Sequence, residues 1–461
     1  MPSFDAQELA GWCEGGWDRM PIGPFCGVCT DTRALRPGEL FVAIRGPNHD
    51  GHDFVAEAFA RGAAGAMVEK GRSDLSAGSA PLLKVEDSLL GLRRMAQEYR
   101  RALKAEFVAV TGSSGKTTVK EMIADVCASL GPTARTRGNW NNDIGLPLSL
   151  LGAERNIRYG VFEVGMNHRG ELAPLCDILK PNWGVVTNVG PVHLEFFDSV
   201  EEIAKEKAVV PASLPPGGTA VLDRDGPYYE ILLRASPCRV VTISLGLDAD
   251  FSGEVRDAAT GAFSVRESAT GQSADFRLGV PGRHMIADAL FAVAVGRALG
   301  VEWKTLQDVL ASFRPPPLRW TQISVNGVDV INDAYNANPM SMVAALEAFS
   351  RVESRGRKWL VLGGMRELGS AEECEHVRLG RLVAEGDWSG LVAVGSLGGI
   401  IARSARESAR GFLKVVECAD HREAAAALKM LAAPGDAVLL KASRAEALER
   451  ILKEWTGAGE G

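Results

Sequence analysis

Residues 108–118 read VAVTGSSGKTT, a short apolar run followed by glycines and serines and then by a lysine and two threonines. The apolar run predicts a buried β-strand, and the residues after the loop predict a helix because apolar side chains recur at helical spacing. These side chains are Val119, Met122, Ile123, Val126, Cys127 and Leu130. Glycines let backbone N–H groups turn towards phosphate oxygens, and a helix N-terminus adds a favourable partial charge. The stretch therefore predicts a loop that binds the phosphates of a nucleotide.

The loop is a shortened form of the general P-loop pattern, which has a glycine where this chain has Val110. The residues predicted to bind the nucleotide are Gly112, Ser113, Ser114, Gly115, Lys116, Thr117 and Thr118. Lys116 would neutralise charge on the β- and γ-phosphates, and Thr117 would offer its hydroxyl group to Mg²⁺. The alternative is a plain glycine-serine turn, but the strand, the Gly-Lys-Thr-Thr sequence and the amphipathic helix together favour phosphate binding.

Length and composition limit the class of protein. A chain of 461 residues predicts roughly three domains. The net charge of -7 argues against a nucleic-acid partner. The N-terminus has no signal-peptide pattern, and the longest uncharged apolar segment, residues 389–402, is too short to span a bilayer. We therefore expect a cytoplasmic protein without membrane insertion.

The chain is predicted to contain three α/β domains. Residues 1–103 form a small N-terminal α/β domain, and residues 104–313 form a central P-loop, mononucleotide-binding parallel sheet. Within the central domain, short alternating strands from about residue 239 to residue 280 predict a small β insertion. Three consecutive prolines, Pro315–Pro317, predict a semi-rigid hinge before a third α/β unit, residues 314–461.

Two further residues of the central domain are candidates for metal chemistry. Glu163 ends the apolar run YGVFEVG, and a buried carboxylate is costly unless it meets a cation. This is the role of the acid that ends a Walker B strand. His193 follows another strand; a structural histidine is the ordinary interpretation, but beside Glu163 it becomes a candidate for a second metal or for proton handling. Lys205 and Lys207, by their spacing alone, would be surface lysines.

Eight motifs, in family order, resemble those of the Mur ligases, ATP-dependent enzymes that add amino acids to the peptidoglycan precursor. The motifs are DTRALRPGELFVAIRGPNHDGHDF (31–54), TGSSGKTT (111–118), RGNWNNDIGLPLSLL (137–151), EVGMNHRGE (163–171), TNVGPVHLE (187–195), IAKEKA (203–208), NDAYNANPMSM (332–342) and LGGMRELG (362–369). Together they cover nearly the whole chain. The resemblance implies that the first domain binds a UDP sugar, that the central domain is an ATPase, and that a Rossmann-like C-terminal domain closes over ATP and brings the amine.

The resemblance also implies a reaction. The segments DAYNANP and MRELG look like the member that adds D-alanyl-D-alanine to UDP-N-acetylmuramoyl-tripeptide. In that reaction the terminal carboxylate of the tripeptide attacks the γ-phosphate of ATP and becomes an acyl phosphate, which the amine of D-alanyl-D-alanine then attacks. The expected partners are these two substrates, and a monomer is expected.

Roles of single residues follow from the same resemblance. Thr117 and Glu163 would hold one Mg²⁺, and His193 would help to hold a second. Lys207 matches the carbamylated lysine of the family, so Lys116, His193 and Lys207 are the expected catalytic residues. Further residues expected at the nucleotide are Asn141, Asn142, Arg319, Asp333, Tyr335 and Asn336. Thr32 and Arg33 match the region that holds the uridine diphosphate.

The chain departs from the family pattern at four positions. Met285 and Asp288 stand where asparagines are common, Gly364 where an aspartate is usual, and Ala442 where a glycine is usual. These departures bear on the adenine contacts and on the amine.

Several alternatives stay open. The related ligase that adds a third residue, diaminopimelate or lysine, usually carries a D-N-P-R signature, which is absent here. Folylpolyglutamate synthetase shares the ATPase core but not the first domain. A non-catalytic nucleotide-binding homologue and a simple P-loop ATPase or kinase are the alternatives from other classes.

Overall fold

The computed structural model describes residues 2–72, 80–411 and 413–456. These residues form three β-sheets in chain order, of five, nine and six strands, with helices packed against them. The predicted α/β fold with three domains is thereby confirmed. Each sheet lies inside one of the three predicted segments, and the boundaries at residues 103 and 313 stay predictions.

The N-terminal sheet has the strand order β1-β5-β4-β3-β2, in which only β1 runs antiparallel to its neighbour. Its elements are α1 (Ala6–Trp12), β1 (Gly16–Trp17), β2 (Val28–Cys29), β3 (Leu40–Val42), a 3₁₀ turn (Gly51–Phe54), α2 (Val55–Ala60), β4 (Gly65–Glu69), β5 (Leu82–Val85) and α3 (Ser88–Ala102). One hydrophobic core includes side chains of this domain and of the next. Within it the buried Tyr99 donates a hydrogen bond to the carbonyl of Ala153 at 2.6 Å, so α3 fixes the first domain to the second.

The central sheet has the order β14-β13-β12-β11-β10-β9-β6-β8-β7. Its strands are β6 (Glu106–Thr111), β7 (Thr133–Arg135), β8 (Tyr159–Glu163), β9 (Trp183–Val186), β10 (Thr219–Asp223), β11 (Arg239–Ser244), β12 (Phe251–Asp257), β13 (Ala262–Glu267) and β14 (Ser273–Arg277). Its helices are α4 (Lys116–Ala128), α5 (Gly145–Leu151), α6 (Leu172–Leu179), α7 (Val200–Lys207), α8 (Val209–Ala212), α9 (Tyr229–Ala235), α10 (Arg283–Ala298) and α11 (Trp303–Ser312). In the part of the sheet with the order β12-β11-β10-β9-β6-β8-β7, every pair of neighbouring strands is parallel.

The small β region is part of this same sheet. Strands β12, β13 and β14 form an antiparallel meander at its edge. The prediction began this region at Arg239, but β11 pairs in parallel with β10 and belongs to the parallel part. Exposed and buried side chains alternate at the start of β11, and this alternation made a parallel strand look like part of the meander.

The C-terminal sheet has the order β15-β16-β20-β17-β18-β19, in which only β15 is antiparallel. Its strands are β15 (Thr321–Val325), β16 (Val328–Asn332), β17 (Lys358–Leu362), β18 (Gly390–Val394), β19 (Lys414–Cys418) and β20 (Ala437–Lys441). Its helices are α12 (Pro339–Ser350), α13 (Glu372–Glu385), α14 (Gly395–Ser408), α15 (His421–Leu431) and α16 (Arg450–Thr456), with 3₁₀ turns at Gly369–Ala371 and Arg444–Glu446. The apolar segment 389–402 is thus a strand that runs into a helix. No helix among the described residues is long and apolar enough to cross a bilayer.

The carboxyl ends of the parallel strands bring distant residues to one edge of the central sheet. The phosphate loop follows β6, Glu163 ends β8, Thr187 follows β9 and Asp223 ends β10. Ligands of open parallel sheets bind at this edge. The edge faces α12 of the C-terminal domain, which begins as a sequence pattern predicts: Asn338 caps the helix through a 2.9 Å bond from the N–H of Ser341, and Pro339 is its first residue.

Candidate active site

A cavity of about 790 Å³ lies between the central and the C-terminal sheets. The central domain contributes polar side chains to its lining: Ser113, Ser114, Lys116, Thr117, Thr118, Asn141, Asn142, Glu163, Asn188, His193 and Asp288. The C-terminal domain contributes Arg319, Asp333, Tyr335, Asn336, Asn338, Arg366, Glu367 and Lys441. Most of the predicted nucleotide and metal residues therefore meet in one place.

Both glycines of the phosphate loop are required by its geometry. Gly112 and Gly115 have positive φ angles of +153° and +77°. A Cβ atom on Gly112 would lie 1.8 Å from Oγ1 of Thr187, and one on Gly115 would lie 2.5 Å from Oδ1 of Asp288. The loop therefore lies tightly between Thr187, which follows β9, and α10. No room is left for a side chain at Gly112 or Gly115.

Gly115→Ala is expected to destabilise the fold by about 1–3 kcal/mol and to weaken nucleotide binding, because the backbone angle and the contact with Asp288 both oppose a side chain. Gly271→Ala is the matched control: its φ is +68°, and open space surrounds the position of a new Cβ. Urea unfolding without nucleotide and titration with an ATP analogue measure the two effects. A Gly115→Ala protein as stable as the control would contradict this reading of the loop.

Two residues that the sequence analysis did not select hold the loop. Asn188 accepts a hydrogen bond from the N–H of Ser114 at 2.9 Å, and Thr187 donates one to the carbonyl of Ser114 at 2.5 Å. Ser113 bonds with its hydroxyl group to both backbone atoms of Gly190. The signal was present in the sequence, because Thr187 and Asn188 directly follow a buried strand, but their partner lies more than 70 residues away.

Lys116, Thr117 and Glu163 form the centre of the site. The Thr117 hydroxyl donates to Oε2 of the buried Glu163 at 2.7 Å, and the Lys116 ammonium donates to the carbonyl of Gly112 at 2.8 Å. Burial lowers the pKa of Lys116, while Glu163 raises it and Arg319 lowers it further. A buried cation at a phosphate loop gains most when an anion arrives, because charges interact more strongly away from water.

The two asparagines have different positions. The Asn141 amide donates to Oε1 of Glu163 at 2.6 Å, so it orients the carboxylate. Oδ1 of Asn142 accepts from the N–H of Gly145, the first residue of α5, at 2.8 Å. Both side chains line the cavity, and their predicted contacts with the nucleotide stay predictions.

Arg319 joins the C-terminal domain to the phosphate loop. Its guanidinium group donates to Oγ1 of Thr117 at 2.8 Å and lies over the ring of Tyr335, 4.1 Å from the ring centre. Stacking on the ring holds the planar group in place. Both residues line the cavity beside the phosphate loop, and their predicted contacts with the nucleotide stay predictions.

Asp333, which the sequence analysis expected at the nucleotide, lines the cavity and is paired with a lysine. Lys441 donates to Oδ2 of Asp333 at 2.5 Å and to the carbonyl of Asn336 at 3.2 Å. Asp333 also accepts from the N–H of Trp320 at 3.2 Å. Lys441 was missed, although it ends the apolar strand β20 as Glu163 ends β8, and the same argument about buried charge would have found it.

His193 bonds to the C-terminal domain. Its Nδ1 lies 2.5 Å from Oε2 of Glu367, a residue that the sequence analysis quoted in a motif but gave no role. The hydrogen bond with His193 lowers the pKa of Glu367, so this carboxyl group is ionised. The two residues are 174 positions apart, and no local pattern could pair them.

Lys207 is fully buried at the end of α7, unlike the exposed Lys205. Burial lowers the pKa of Lys207 well below its usual range, and the charge of Lys116 lowers it further. Within residues 2–72, 80–411 and 413–456, no group accepts a hydrogen bond from its amine. The expectation of a surface lysine, drawn from spacing alone, is therefore wrong for Lys207, and burial disfavours the charged form of its amine.

Family models match three segments of the chain. The model described as "Mur ligase family, catalytic domain" matches residues 25–100, "Mur ligase middle domain" matches residues 110–296, and "Mur ligase, glutamate ligase domain" matches residues 318–444. The chain is 33% identical, over 93% of its length, to the UDP-N-acetylmuramoyl-tripeptide–D-alanyl-D-alanine ligase of Bacillus subtilis, and it covers 92% of that protein. This chain belongs to the Mur ligase family.

Solved structures of other Mur ligases have the same fold. MurF from Acinetobacter baumannii superimposes with a TM-score of 0.88 at 29% identity, with 99% of each chain covered. The MurF ligase from Thermotoga maritima, solved in complex with ADP, has a TM-score of 0.79 at 28% identity, with 94% of this chain and 97% of that chain covered. The predicted family membership is thus confirmed, and with it a ligase that forms a peptide bond.

The oxygen donors of this Mur ligase fit a magnesium ion only together with a substrate. The described part of the chain contains no group of three or more His, Cys, Asp or Glu side chains that could hold a metal. Thr117 and Glu163 supply a hydroxyl and a carboxylate oxygen, and Mg²⁺ sites commonly add water and substrate phosphates to one or two carboxylates. Because Arg319 and Asn141 contact these same oxygens, a metal ion would have to displace them.

The predicted uridine diphosphate residues lie apart from the cavity. Thr32 is buried, and neither it nor Arg33 is among the residues that line the cavity. The exposed Arg33 side chain binds Asp31 through Nε at 2.9 Å and through Nη2 at 2.7 Å. A diphosphate would have to compete with this carboxylate, and the role of both residues stays a prediction.

The four departures from the family pattern have different surroundings. Burial raises the pKa of Asp288 well above its usual range, which disfavours its charged form beside the loop, and Met285 is buried one helical turn earlier. A Cβ atom on Gly364 would lie 2.7 Å from Cδ1 of Leu397, so Leu397 fills the space of a side chain there. The Cβ of Ala442 would lie 2.8 Å from a Cβ on Gly363, which shows close packing of two loops.

Proposed function

We infer that this Mur ligase joins D-alanyl-D-alanine to the terminal carboxylate of UDP-N-acetylmuramoyl-tripeptide, at the expense of ATP, in peptidoglycan synthesis. The observation that supports this function combines two features. The phosphate loop, Glu163 and Arg319 line one cavity between two domains, and the chain matches tripeptide–D-alanyl-D-alanine ligases along nearly its whole length.

The reaction needs two steps because a carboxylate oxygen is a poor leaving group. A carboxylate oxygen of the tripeptide attacks the γ-phosphorus of ATP, the bond to the β-phosphate oxygen breaks, and ADP leaves. The amine nitrogen of D-alanyl-D-alanine then attacks the carbonyl carbon of the acyl phosphate. The tetrahedral intermediate loses phosphate, and the nitrogen loses a proton, which leaves an amide.

Residues of the cavity suit the first step. Two anions must approach each other, and Lys116 and Arg319 supply positive charge beside the loop. The loop, Asn141, Asn142, Asp333, Tyr335 and Asn336 are proposed to hold the nucleotide, and Thr32 and Arg33 the uridine diphosphate. The position of the site between two domains also keeps water from the acyl phosphate.

Two Mg²⁺ ions are proposed as cofactors. Thr117 and Glu163 would hold one, and His193 and Lys207 would hold the second. Bound Mg²⁺ neutralises charge that develops on the transferred phosphoryl group. The chain contributes the oxygen and nitrogen donors and the amide of Asn141 that orients Glu163.

Carbamylation of Lys207 is proposed on the strength of its surroundings. A neutral amine reacts with carbon dioxide, and burial together with the charge of Lys116 favours the neutral form of Lys207. The carbamate would turn this cation into an anionic oxygen ligand and would place a negative charge near Lys116. This removes the unfavourable proximity of two buried lysines.

We further propose that the enzyme acts as a monomer in the cytoplasm. ATP, the expected energy source, is a cytoplasmic nucleotide.

A single assay tests the function. Purified protein is incubated with Mg²⁺, ATP and UDP-N-acetylmuramoyl-tripeptide, and phosphate release is measured before and after addition of D-alanyl-D-alanine. We expect release only with the dipeptide, and a product whose mass corresponds to the two substrates less one water. Phosphate release that does not depend on the dipeptide, or that is faster with diaminopimelate, would contradict the function.

A further inference from the structure

The contact between His193 and Glu367 connects two domains at the edge of the cavity. His193 follows β9 of the central domain, whereas Glu367 lies in the loop after β17 of the C-terminal domain. Both residues have left-handed backbone angles, with φ of +53° and +63°. Such angles are costly for residues with side chains and persist only where the surroundings enforce them. The surrounding fold therefore holds the backbone of both residues in the conformation that brings their side chains together.

The backbone around this pair is docked as well. The N–H of Glu195 donates to the carbonyl of Glu367 at 3.2 Å, and the N–H of Phe196 donates to the carbonyl of His193 at 2.9 Å. A Cβ atom on Gly369 would lie 3.0 Å from Cα of Glu195, so the two loops touch without room for a side chain. The pair is thus part of an interface and not an isolated ion pair in solvent.

The contact separates the roles of the two ring nitrogens of His193. Nδ1 lies 2.5 Å from Oε2 of Glu367, and Nε2 is the ring nitrogen that does not meet this carboxylate. Because carboxylate oxygens accept hydrogen bonds, the contact favours the tautomer in which Nδ1 carries the proton and the lone pair of Nε2 is available. A carboxylate behind the imidazole is the usual arrangement for a histidine that binds a metal, because it fixes the orientation of the ring and strengthens the free nitrogen as a ligand.

We propose that Glu367 is a positioning residue, which orients His193 for the second metal ion and supplies this orientation only when the C-terminal domain is docked on the central domain. The proposal rests on the proposed function of His193. It assigns to the third domain a part in metal binding, although none of its own side chains needs to touch the metal. The metal site is then complete only when the C-terminal domain is docked on the central domain.

A purely structural role would give a different result. Glu367 is 41% exposed and His193 is 17% exposed, and exposed ion pairs contribute about 0–1 kcal/mol to stability. Loss of the carboxylate should therefore change the unfolding free energy little. If Glu367 positions His193, the effect appears instead in metal affinity, where loss of a supporting partner costs about 10–100-fold.

The test is a titration of Mn²⁺ followed by electron paramagnetic resonance, with β,γ-methylene-ATP bound. Glu367→Ala is expected to weaken the weaker Mn²⁺ site about 10–100-fold while urea unfolding stays near that of the wild type. Glu367→Gln keeps an oxygen that accepts from Nδ1, and the Mn²⁺ affinity of this variant should lie between those of the wild type and of Glu367→Ala. In His193→Ala protein, Glu367→Ala should have no further effect, because the two residues act through one another.

Glu373→Gln is the control, since Glu373 is an exposed carboxylate on nearby α13 that makes no contact with the cavity. Wild-type Mn²⁺ affinity in Glu367→Ala, or an equal loss in the His193→Ala background, would overturn the proposal. The titration involves no turnover. If the wild type forms no dipeptide-extended product, the proposed function fails, whereas the role of Glu367 is still decided by metal affinity.

Discussion

Lys116→Ala is expected to lower kcat/KM for ATP by about a thousandfold. The ammonium group is partly buried at the phosphate loop, where it bonds to the carbonyl of Gly112, and it is placed to meet negative charge as the γ-phosphate is transferred. In a site partly shielded from water, removing one such charge costs more than in solvent. Phosphate release with both substrates present, measured across ATP concentrations, gives kcat and KM separately.

Lys205→Ala is the control for Lys116→Ala. Lys205 is an exposed lysine whose partners are Glu201 and Glu202 on its own helix, so its loss should leave kcat/KM near that of the wild type. A Lys116→Ala enzyme that keeps most of its activity would contradict a role of the phosphate loop in the reaction.

Lys207→Ala is expected to lower kcat at least about a hundredfold, and added bicarbonate is expected to restore part of the loss. The substitution removes the proposed carbamate and leaves a space at the end of α7 in which a small oxyanion can replace it. Carbon-13 NMR of the wild type with labelled bicarbonate should show a carbamate signal that is absent from the variant.

The comparison with Lys205→Ala is sharp here, because the two lysines are two residues apart on one helix and differ in burial. Loss of activity in both variants would indicate damage to α7 rather than to a ligand. A fully active Lys207→Ala enzyme would exclude the carbamate.

Local chemistry made much of this molecule predictable. The strand, glycine loop and helix at 108–118, the cap at Asn338 and the acid that ends β8 each follow from a few neighbouring residues. Their patterns act within one or two turns, where sequence and structure are closely linked.

What the sequence could not supply are contacts between distant residues. The segment around Asp333 shows no partner for its carboxylate, because its partner Lys441 is 108 positions away. The burial of Lys207 depends on which face of α7 packs on the domain, and one pair of lysines gives no periodicity. Strand β11, which lies between β10 and β12, was misplaced because its side-chain pattern reports burial and not the direction of pairing.

The packing of Leu397 against Gly364 constrains how this chain can change. Because Cδ1 and Cβ of Leu397 lie 2.7 and 2.8 Å from the position of a Cβ atom at residue 364, an aspartate there requires Leu397 to shift. A smaller residue at 397 would relieve this contact, and alone it would leave a void beside Gly364. We therefore expect the two positions to be coupled, so that the order of the two substitutions matters for an evolving or engineered enzyme.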